Sequence, residues 1–197
     1  MTSSGPRGNA RGDARREVLR AAAAQVLVEQ GFAGLTHRAV AERGGVPLAS
    51  TTYYFASADD LAVQALQHAT QAWLAASEAA FVSLPGRLGT GPATARALLA
   101  VVTAGSADRA TLTTMYERYL EAGRHALLRP LVATANQQVA ALVAGVLRRA
   151  GRRPGTARLV LATTDGLLLT ALAEGHPEPV AHVVPELSRL VALLPRD

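Results

Sequence analysis

Residues Leu35–Phe55 read LTHRAVAERGGVPLASTTYYF. This stretch predicts two short helices joined by a tight turn, because Gly44 and Gly45 accept the left-handed backbone conformation that ends a helix. Thr36 is the expected N-cap of the first helix, since its hydroxyl can accept a hydrogen bond from an unpaired backbone N–H. Pro47 has the φ angle that a new helix needs at its start. The stretch therefore predicts a helix-turn-helix.

The second predicted helix carries small, hydroxyl and phenolic side chains. They are Leu48, Ala49, Ser50, Thr52, Tyr53 and Tyr54. Such groups can lie close to a nucleic-acid backbone and still donate hydrogen bonds. A packed helical corner without a DNA role is the alternative, because many helical hairpins look similar.

A longer pattern around this stretch resembles the DNA-binding domain of the TetR (tetracycline-repressor-like) family. It covers roughly residues 14–62 and consists of a long first helix followed by Gly31-Phe32, Leu35-Thr36, Val40-Ala41, Gly45-Val46, a Tyr-x-Phe motif, Ser57 and Leu61. Three positions depart from the family pattern. Ala49 stands where glycine is frequent, Thr52 where an aromatic residue is usual, and Ala58 where a lysine often touches a phosphate. These departures concern individual contacts and not the domain.

The resemblance implies an all-α protein of about nine helices that responds to a ligand. We expect a flexible basic arm at 1–12, a helix-turn-helix DNA-binding domain at 13–56 and an effector-binding and dimerisation domain at 57–197. A homodimer would bind a palindromic operator in double-stranded DNA, most simply as a repressor that a small molecule releases. The residues expected to contact DNA are Thr36, His37, Arg38, Leu48, Ser50, Thr52, Tyr53 and Tyr54.

Composition agrees with a globular DNA-binding protein. The chain has 197 residues, of which 49% are apolar, and a formal net charge of +5. Residues 1–56 contain seven arginines and four acidic residues, which suits a polyanionic partner. The chain has no cysteine, and its N-terminus lacks the apolar segment of a secretory signal. We see no run of about twenty apolar residues that would span a membrane and expect a cytoplasmic protein.

The last two predicted helices, at about 156–174 and 180–194, are apolar on nearly all sides. A helix of this kind has to be buried, often against another subunit. Two such helices from each subunit could form a four-helix dimer interface. Burial within one subunit is the alternative.

An effector site is expected among the helices between residues 57 and 174. The candidate residues are large adaptable groups and polar groups in apolar surroundings: His68, Trp73, Met115, Tyr116, Tyr119 and Asp165. Asp165 is the sharpest case, because a buried carboxylate needs a partner, which could be Arg158 or an arginine across the dimer. For each residue alone, ordinary core packing is the competing interpretation.

No pattern in the chain indicates an enzyme, a cofactor or a metal site. The sequence has no HExxH, GxSxG, Walker or dinucleotide-binding motif, and no histidine lies one helical turn from another. Glu117 and Glu121 are one turn apart and are interpreted as a solvated ion-pair face rather than catalytic carboxylates. The other functional classes left open are a helical small-molecule-binding protein without a DNA role and an enzyme.

Overall fold

The computed structural model describes residues 6–89 and 91–197 of the chain, and within them it contains helices and no strand. The ten α-helices are α1 (Pro6–Gly34), α2 (His37–Gly44), α3 (Leu48–Tyr54), α4 (Ala58–Ser83), α5 (Pro92–Val102), α6 (Arg109–Arg124), α7 (Arg129–Arg149), α8 (Ala157–Ala173), α9 (Pro179–His182) and α10 (Val184–Leu193). Short 3₁₀ turns at Ala126–Leu128 and Pro154–Thr156 precede α7 and α8. The expected all-α fold is confirmed.

The first helix begins earlier than the sequence predicts. Residues 6–12 are helical rather than part of a flexible arm, and Asp13 lies inside α1 and is not its N-cap. Proline is favoured in the first turn of a helix, which fits the start at Pro6, although Gly8, Asn9 and Gly12 are weak helix formers. Residues 1–5 of the predicted arm lie outside the described part of the chain. Near its end α1 is interrupted at Gly31, whose φ of 67° favours glycine.

The chain packs as two compact units. The first extends to Thr70 and includes Glu117–Leu131, and the second consists of Gln71–Tyr116 and Val132–Asp197. In the first unit, α1 packs against α2 and α2 against α3, around a core that includes Leu19, Val26 and Val40. In the second unit, α10 packs along α5 and is buried through Leu187 and Val191. The functional boundary predicted between residues 56 and 57 is a different division and stays a prediction.

The C-terminal helix predicted at 180–194 is divided at Val183 into α9 and α10. Pro185 is the physical reason, because proline has no N–H to continue a helical hydrogen-bond ladder and restricts the residue before it. The ladder resumes when Leu187 N donates to Val183 O at 3.1 Å.

Helix α8 supports both interpretations of its apolar character, on different faces. Val160 and Leu168 are fully buried within the chain. Leu159 and Leu169 are 60% and 51% exposed. One face of α8 therefore belongs to the core of the second unit, and another remains apolar and exposed.

Two helical stretches, Ala126–Arg149 and Pro154–Ala173, are long and apolar enough to pass a length and hydropathy test for a membrane span. The sequence interpretation found no such stretch. Core helices of water-soluble proteins pass the same test, and each stretch carries buried residues that pack within the chain. They are weak evidence for a membrane segment.

Candidate nucleic-acid interface and ligand site

The turn between α2 and α3 is held by backbone and side-chain caps at both ends of α2. Thr36 Oγ1 accepts a hydrogen bond from Ala39 N at 3.1 Å, which confirms the predicted N-cap. Gly45 adopts the left-handed conformation with φ of 61°, and Val46 N donates to Ala41 O at 3.0 Å. This is the hydrogen-bond pattern of a Schellman C-cap. The geometry of the turn is therefore set locally.

Helix α3 is anchored on one side and exposed on the other. Thr51 and Phe55 are 0% and 1% exposed, and Thr51 Oγ1 donates to Leu48 O at 2.8 Å. Leu48 is 51% exposed and Tyr53 is 81% exposed. Thr52 is also exposed and Ser50 is half-buried. A short helix with apolar, hydroxyl and phenolic groups on its outer side can contact both phosphates and base edges.

The two tyrosines of α3 have different surroundings. Tyr54 is half-buried, and the Arg16 guanidinium of α1 lies 5.8 Å from its ring centroid. The rings of Tyr53 and Tyr54 meet edge to face at 5.0 Å. Tyr53 is therefore free to reach outward, whereas Tyr54 also links α3 to α1.

The residues at the start of α2 divide between capping, packing and exposure. The Thr36 hydroxyl is used by the cap. The His37 ring packs edge-on against Phe55 at 6.3 Å, and its Nδ1 is buried without a hydrogen-bond partner in the described part of the chain. The Arg38 side chain is 84% exposed and its Nε lies 3.0 Å from Glu42 Oε1. Such an exposed pair is weak, so Arg38 can exchange it for a phosphate.

An ion pair ties the end of α2 to α1. Arg43 Nη1 donates to Glu29 Oε1 at 2.6 Å, and Arg43 Nη2 donates to the other carboxylate oxygen. The hydrogen bonds from Arg43 lower the pKa of the Glu29 carboxyl, and the same bonds raise the pKa of the Arg43 guanidinium. This pair was not singled out from the sequence, because its two residues are far apart along the chain.

Two of the six candidate effector residues are brought together by a direct hydrogen bond. Tyr116 is 5% exposed, and its hydroxyl donates to Asp165 Oδ1 at 3.2 Å. Tyr116 and Asp165 therefore meet within the second unit. Arg158 is exposed, and the expectation of an arginine partner for Asp165, either Arg158 or one across the dimer, stays a prediction.

The other candidate residues divide between the two units. In the first unit, His68 Nδ1 lies 3.4 Å from Glu17 Oε1, and Tyr119 lies under the Arg118 guanidinium at 5.1 Å. In the second unit, Trp73 and Met115 are half-buried. His68 is thus occupied with an acidic residue of α1.

Two polar side-chain atoms, one on Ser77 and one on Glu117, are buried without hydrogen-bond partners in the described part of the chain. Ser77 is 0% exposed and its Oγ has no partner. Glu117 Oε2 is likewise buried while the residue as a whole is half-buried, so only part of this side chain can belong to the expected solvated face. Glu121 does make ion pairs, with Arg124 at 2.7 Å and with His125 at 3.5 Å. The only sequence signal for Ser77 was its place one turn after Trp73.

Within residues 6–89 and 91–197, no group of three or more histidine or acidic residues is arranged to hold a metal ion. The absence of a metal site therefore stays a prediction from the sequence pattern.

Two family models match the chain. The model of bacterial regulatory proteins of the tetR family matches residues 19–65, and the model of the tetracyclin repressor-like C-terminal domain matches residues 90–193. No curated protein matches it.

Solved structures resemble the chain over most of its length. The multidrug binding protein EbrR complexed with proflavin is 35% identical, covers 90% of this chain and 99% of its own, and has a TM-score of 0.66. A TetR family member from Streptomyces coelicolor, SCO1917, is 36% identical with coverages of 90% and 98% and a TM-score of 0.65. A Saccharomonospora viridis structure with bound choline has a TM-score of 0.72 and coverages of 93% and 100%, but at 17% identity it supports the fold alone.

The C-terminal model spans more than half of the chain, the N-terminal model covers the helix-turn-helix, and the structural relatives exceed 30% identity over nine-tenths of the chain. The chain belongs to the TetR family of transcriptional regulators, which bind DNA through an N-terminal helix-turn-helix and ligands through a C-terminal helical domain, and which are not enzymes.

Proposed function

We propose that the protein is a repressor that binds a palindromic operator as a homodimer and is released by a small molecule. The exposed side of α3 carries this proposal. Tyr53 is 81% exposed there, whereas Thr51 and Phe55 anchor the opposite side of the helix. An isolated packed corner would have no reason to present a large phenol to solvent. The DNA-binding part is residues 13–56, and the effector and dimerisation part is residues 57–197.

Within this proposal, different residues have different roles on the DNA. Base edges and neighbouring phosphates are contacted by the outer side of α3, through Leu48, Ser50, Thr52 and Tyr53. Arg38 contacts a phosphate, because it is exposed and only weakly held by Glu42. The contributions assigned to Thr36, His37 and Tyr54 are smaller, since these side chains also cap or pack α2 and α3.

The exposed apolar face of α8 supports the homodimer. One face of α8 consists of exposed small and apolar residues at helical spacing, namely Leu159, Ala162, Gly166, Leu169 and Ala173. Leu193 of α10 is 84% exposed. Closed two-fold pairing of these faces would bury them, and it would allow two α3 helices to enter successive major grooves about 34–36 Å apart. A cytoplasmic location follows from a role on DNA.

An aromatic cation is the proposed effector class. The EbrR relatives have been crystallised with proflavin, ethidium and malachite green, which are aromatic cations. In this chain Asp165 supplies a carboxylate that accepts a hydrogen bond from Tyr116, and Trp73 and Met115 supply aromatic and polarisable surface. His68 and Tyr119, which belong to the first unit, remain candidates from the sequence alone. Effector binding would shift the population toward a spacing of the α3 helices that does not fit the operator.

The direct experiment selects an operator from a random duplex library with the purified protein and then titrates proflavin against the complex. We expect a palindromic site, affinity that falls steeply with salt, and release by proflavin. Failure to enrich any duplex would favour a helical binding protein without a DNA role. Enrichment without release by proflavin, ethidium or malachite green would overturn the effector class alone.

A further inference from the structure

The second unit contains a groove that is separate from the proposed effector residues. Its volume is about 630 Å³, and its walls are the C-terminal half of α5, the loop that follows it and residues 177–185. This volume falls within the roughly 300–1,000 Å³ range of small-molecule sites. None of the six residues proposed for the effector lines it.

Hydrogen bonds hold one wall of the groove in place. Helix α5 ends in a Schellman cap in which Gly105 N donates to Ala100 O at 2.8 Å and Ala104 N donates to Val101 O at 3.4 Å. Beyond this loop, Arg109 Nη1 donates to His176 O at 3.2 Å, and its Nη2 donates to Leu172 O. One arginine therefore connects the start of α6 to the end of α8.

The opposite wall is held by two stacked imidazole rings. The ring centroids of His176 and His182 lie 3.5 Å apart, and the ring planes differ by 17°. The segment between these histidines contributes Pro177, Glu178, Val180 and Ala181 to the groove. Because both walls are held by contacts within the protein, a ligand would not have to order them.

The lining has a distinct chemical character. An aliphatic surface is formed by the half-buried residues Ala100, Val180 and Val184, and Arg96 places a guanidinium beside it. Within the described residues Arg96 makes no ion pair, although Glu178 belongs to the same lining. An exposed guanidinium next to an aliphatic surface matches a molecule with a carboxylate at one end and an alkyl chain at the other.

We propose that this groove is a second ligand site, which takes small amphipathic carboxylates. Arg96 pairs with the carboxylate, and the alkyl chain lies along Ala100, Val180 and Val184. Glu178 discriminates against ligands that carry a second negative charge. The site extends the protein's ligand range beyond the aromatic cations proposed for Asp165.

Isothermal titration calorimetry with octanoate on the full-length protein tests this site. We expect a Kd of about 1 mM or lower, which Arg96→Gln weakens about tenfold through loss of a charge-assisted contact. Ala181→Trp should abolish binding by filling the groove from an exposed position. The matched control is Arg148→Gln, which removes an exposed arginine of α7 and should leave octanoate binding unchanged.

Two further measurements separate this proposal from the proposed function. Octanoate should not displace proflavin, and Arg96→Gln should not change proflavin affinity. The inference is overturned if octanoate gives no binding heat at several times the expected Kd, or if Ala181→Trp binds it normally. It is also overturned if octylamine binds more tightly than octanoate and depends on Glu178, because the groove would then select cations. None of these results depends on whether the protein binds DNA.

Discussion

Tyr53 illustrates how a single residue can be exposed by the packing of its neighbours. Thr51 and Phe55 are one helical turn apart and face the core of the first unit. Tyr53 lies midway between them along the chain and therefore points to the opposite, exposed side of the helix. Its phenol carries both a donor and an acceptor on a rigid ring, so it can bind a phosphate or a base edge at little cost in side-chain entropy. These features make Tyr53 the most informative single position on α3.

Replacing Tyr53 with alanine should weaken operator binding by about 1–3 kcal/mol, or roughly five- to 150-fold, because a contact to DNA is lost. Thermal stability should stay within about 0.5 kcal/mol, since the side chain is 81% exposed. Fluorescence anisotropy with the selected operator measures the first effect and thermal unfolding the second. Tyr53→Phe separates the hydroxyl from the ring. Parental affinity in Tyr53→Ala would remove this residue from the interface.

Ala104 is a residue in a conformation that suits glycine better. It has a φ of 53° and is the only non-glycine residue with positive φ among the described residues. Ala104→Gly should stabilise the protein by about 0.5–1 kcal/mol, because removal of the Cβ relieves left-handed strain that exceeds the entropy glycine adds to the unfolded chain. Urea unfolding measures the change. A lower midpoint for Ala104→Gly at unchanged slope would contradict it.

At the scale of the element, how well the sequence predicts structure depends on how local the signal is. The N-cap at Thr36 and the stop at Gly45 were predicted, because each involves neighbouring residues. The cap at the start of α4 is equally local, because Asp60 N donates to Ser57 Oγ at 3.1 Å. The contact of Asp165 with Tyr116 was not predicted, because Tyr116 lies 49 residues away. Contacts of that kind depend on how helices pack.

The crossing of α4 and α7 is such a packing feature, and Gly145 makes it possible. A Cβ at this position would lie 2.6 Å from Phe81 Cζ. Phe81 is in turn covered by the Arg149 guanidinium at 4.0 Å from its ring, and Arg149 Nη1 donates to Phe81 O at 2.8 Å. The ring therefore has little room to move away from α7.

Gly145→Ala should destabilise the protein by about 1–3 kcal/mol, because an added methyl overpacks the crossing. Gly123→Ala is the matched control, since nothing lies within 4 Å of its ideal Cβ and alanine is the better helix former. Thermal unfolding of both variants measures the difference. A double variant with Phe81→Leu should recover part of the loss. Equal stability of the two single variants would mean that Phe81 can rotate aside.

The start of α6 should respond to acid. Asp108 Oδ2 accepts hydrogen bonds from Thr111 N at 2.8 Å and from Thr111 Oγ1 at 2.7 Å, and these bonds lower the pKa of the Asp108 carboxyl. A lowered pKa means that the stabilisation is complete above the unfolded-state value of about 3.9 and disappears as the pH falls through the folded-state value. Asp108→Ala should therefore lower the melting temperature at pH 7, and this difference should shrink toward pH 3. If the difference in melting temperature between Asp108→Ala and the parent does not change with pH, the ionised Asp108 carboxylate does not stabilise the start of α6.

At the scale of the whole molecule, the arrangement of exposed apolar residues suggests which surface a second copy covers. The sequence showed that α8 is apolar on nearly all sides but could not say which side faces the core. Burial separates the two, because Leu168 is fully buried whereas its neighbour Leu169 is 51% exposed. A substitution at Leu168 would therefore test the core and not the dimer. Adjacent positions on one helix thus give a matched pair of variants.

Leu169→Glu should leave the chain folded but dissociate the proposed dimer, because an unpaired charge in an apolar interface costs several kcal/mol. Leu168→Glu should instead unfold the second unit, since the same charge would lie in its core. Light scattering measures the assembly, and circular dichroism measures the folding. On DNA, the Leu169→Glu monomer should bind a single half-site as the parent protomer does but lose the affinity gained from engaging both half-sites of a palindrome. If the Leu169→Glu protein remains dimeric at the protein concentrations at which the parent is dimeric, the interface lies elsewhere. A monomer that binds the full palindrome as tightly as the parent would show that the operator is read by one subunit.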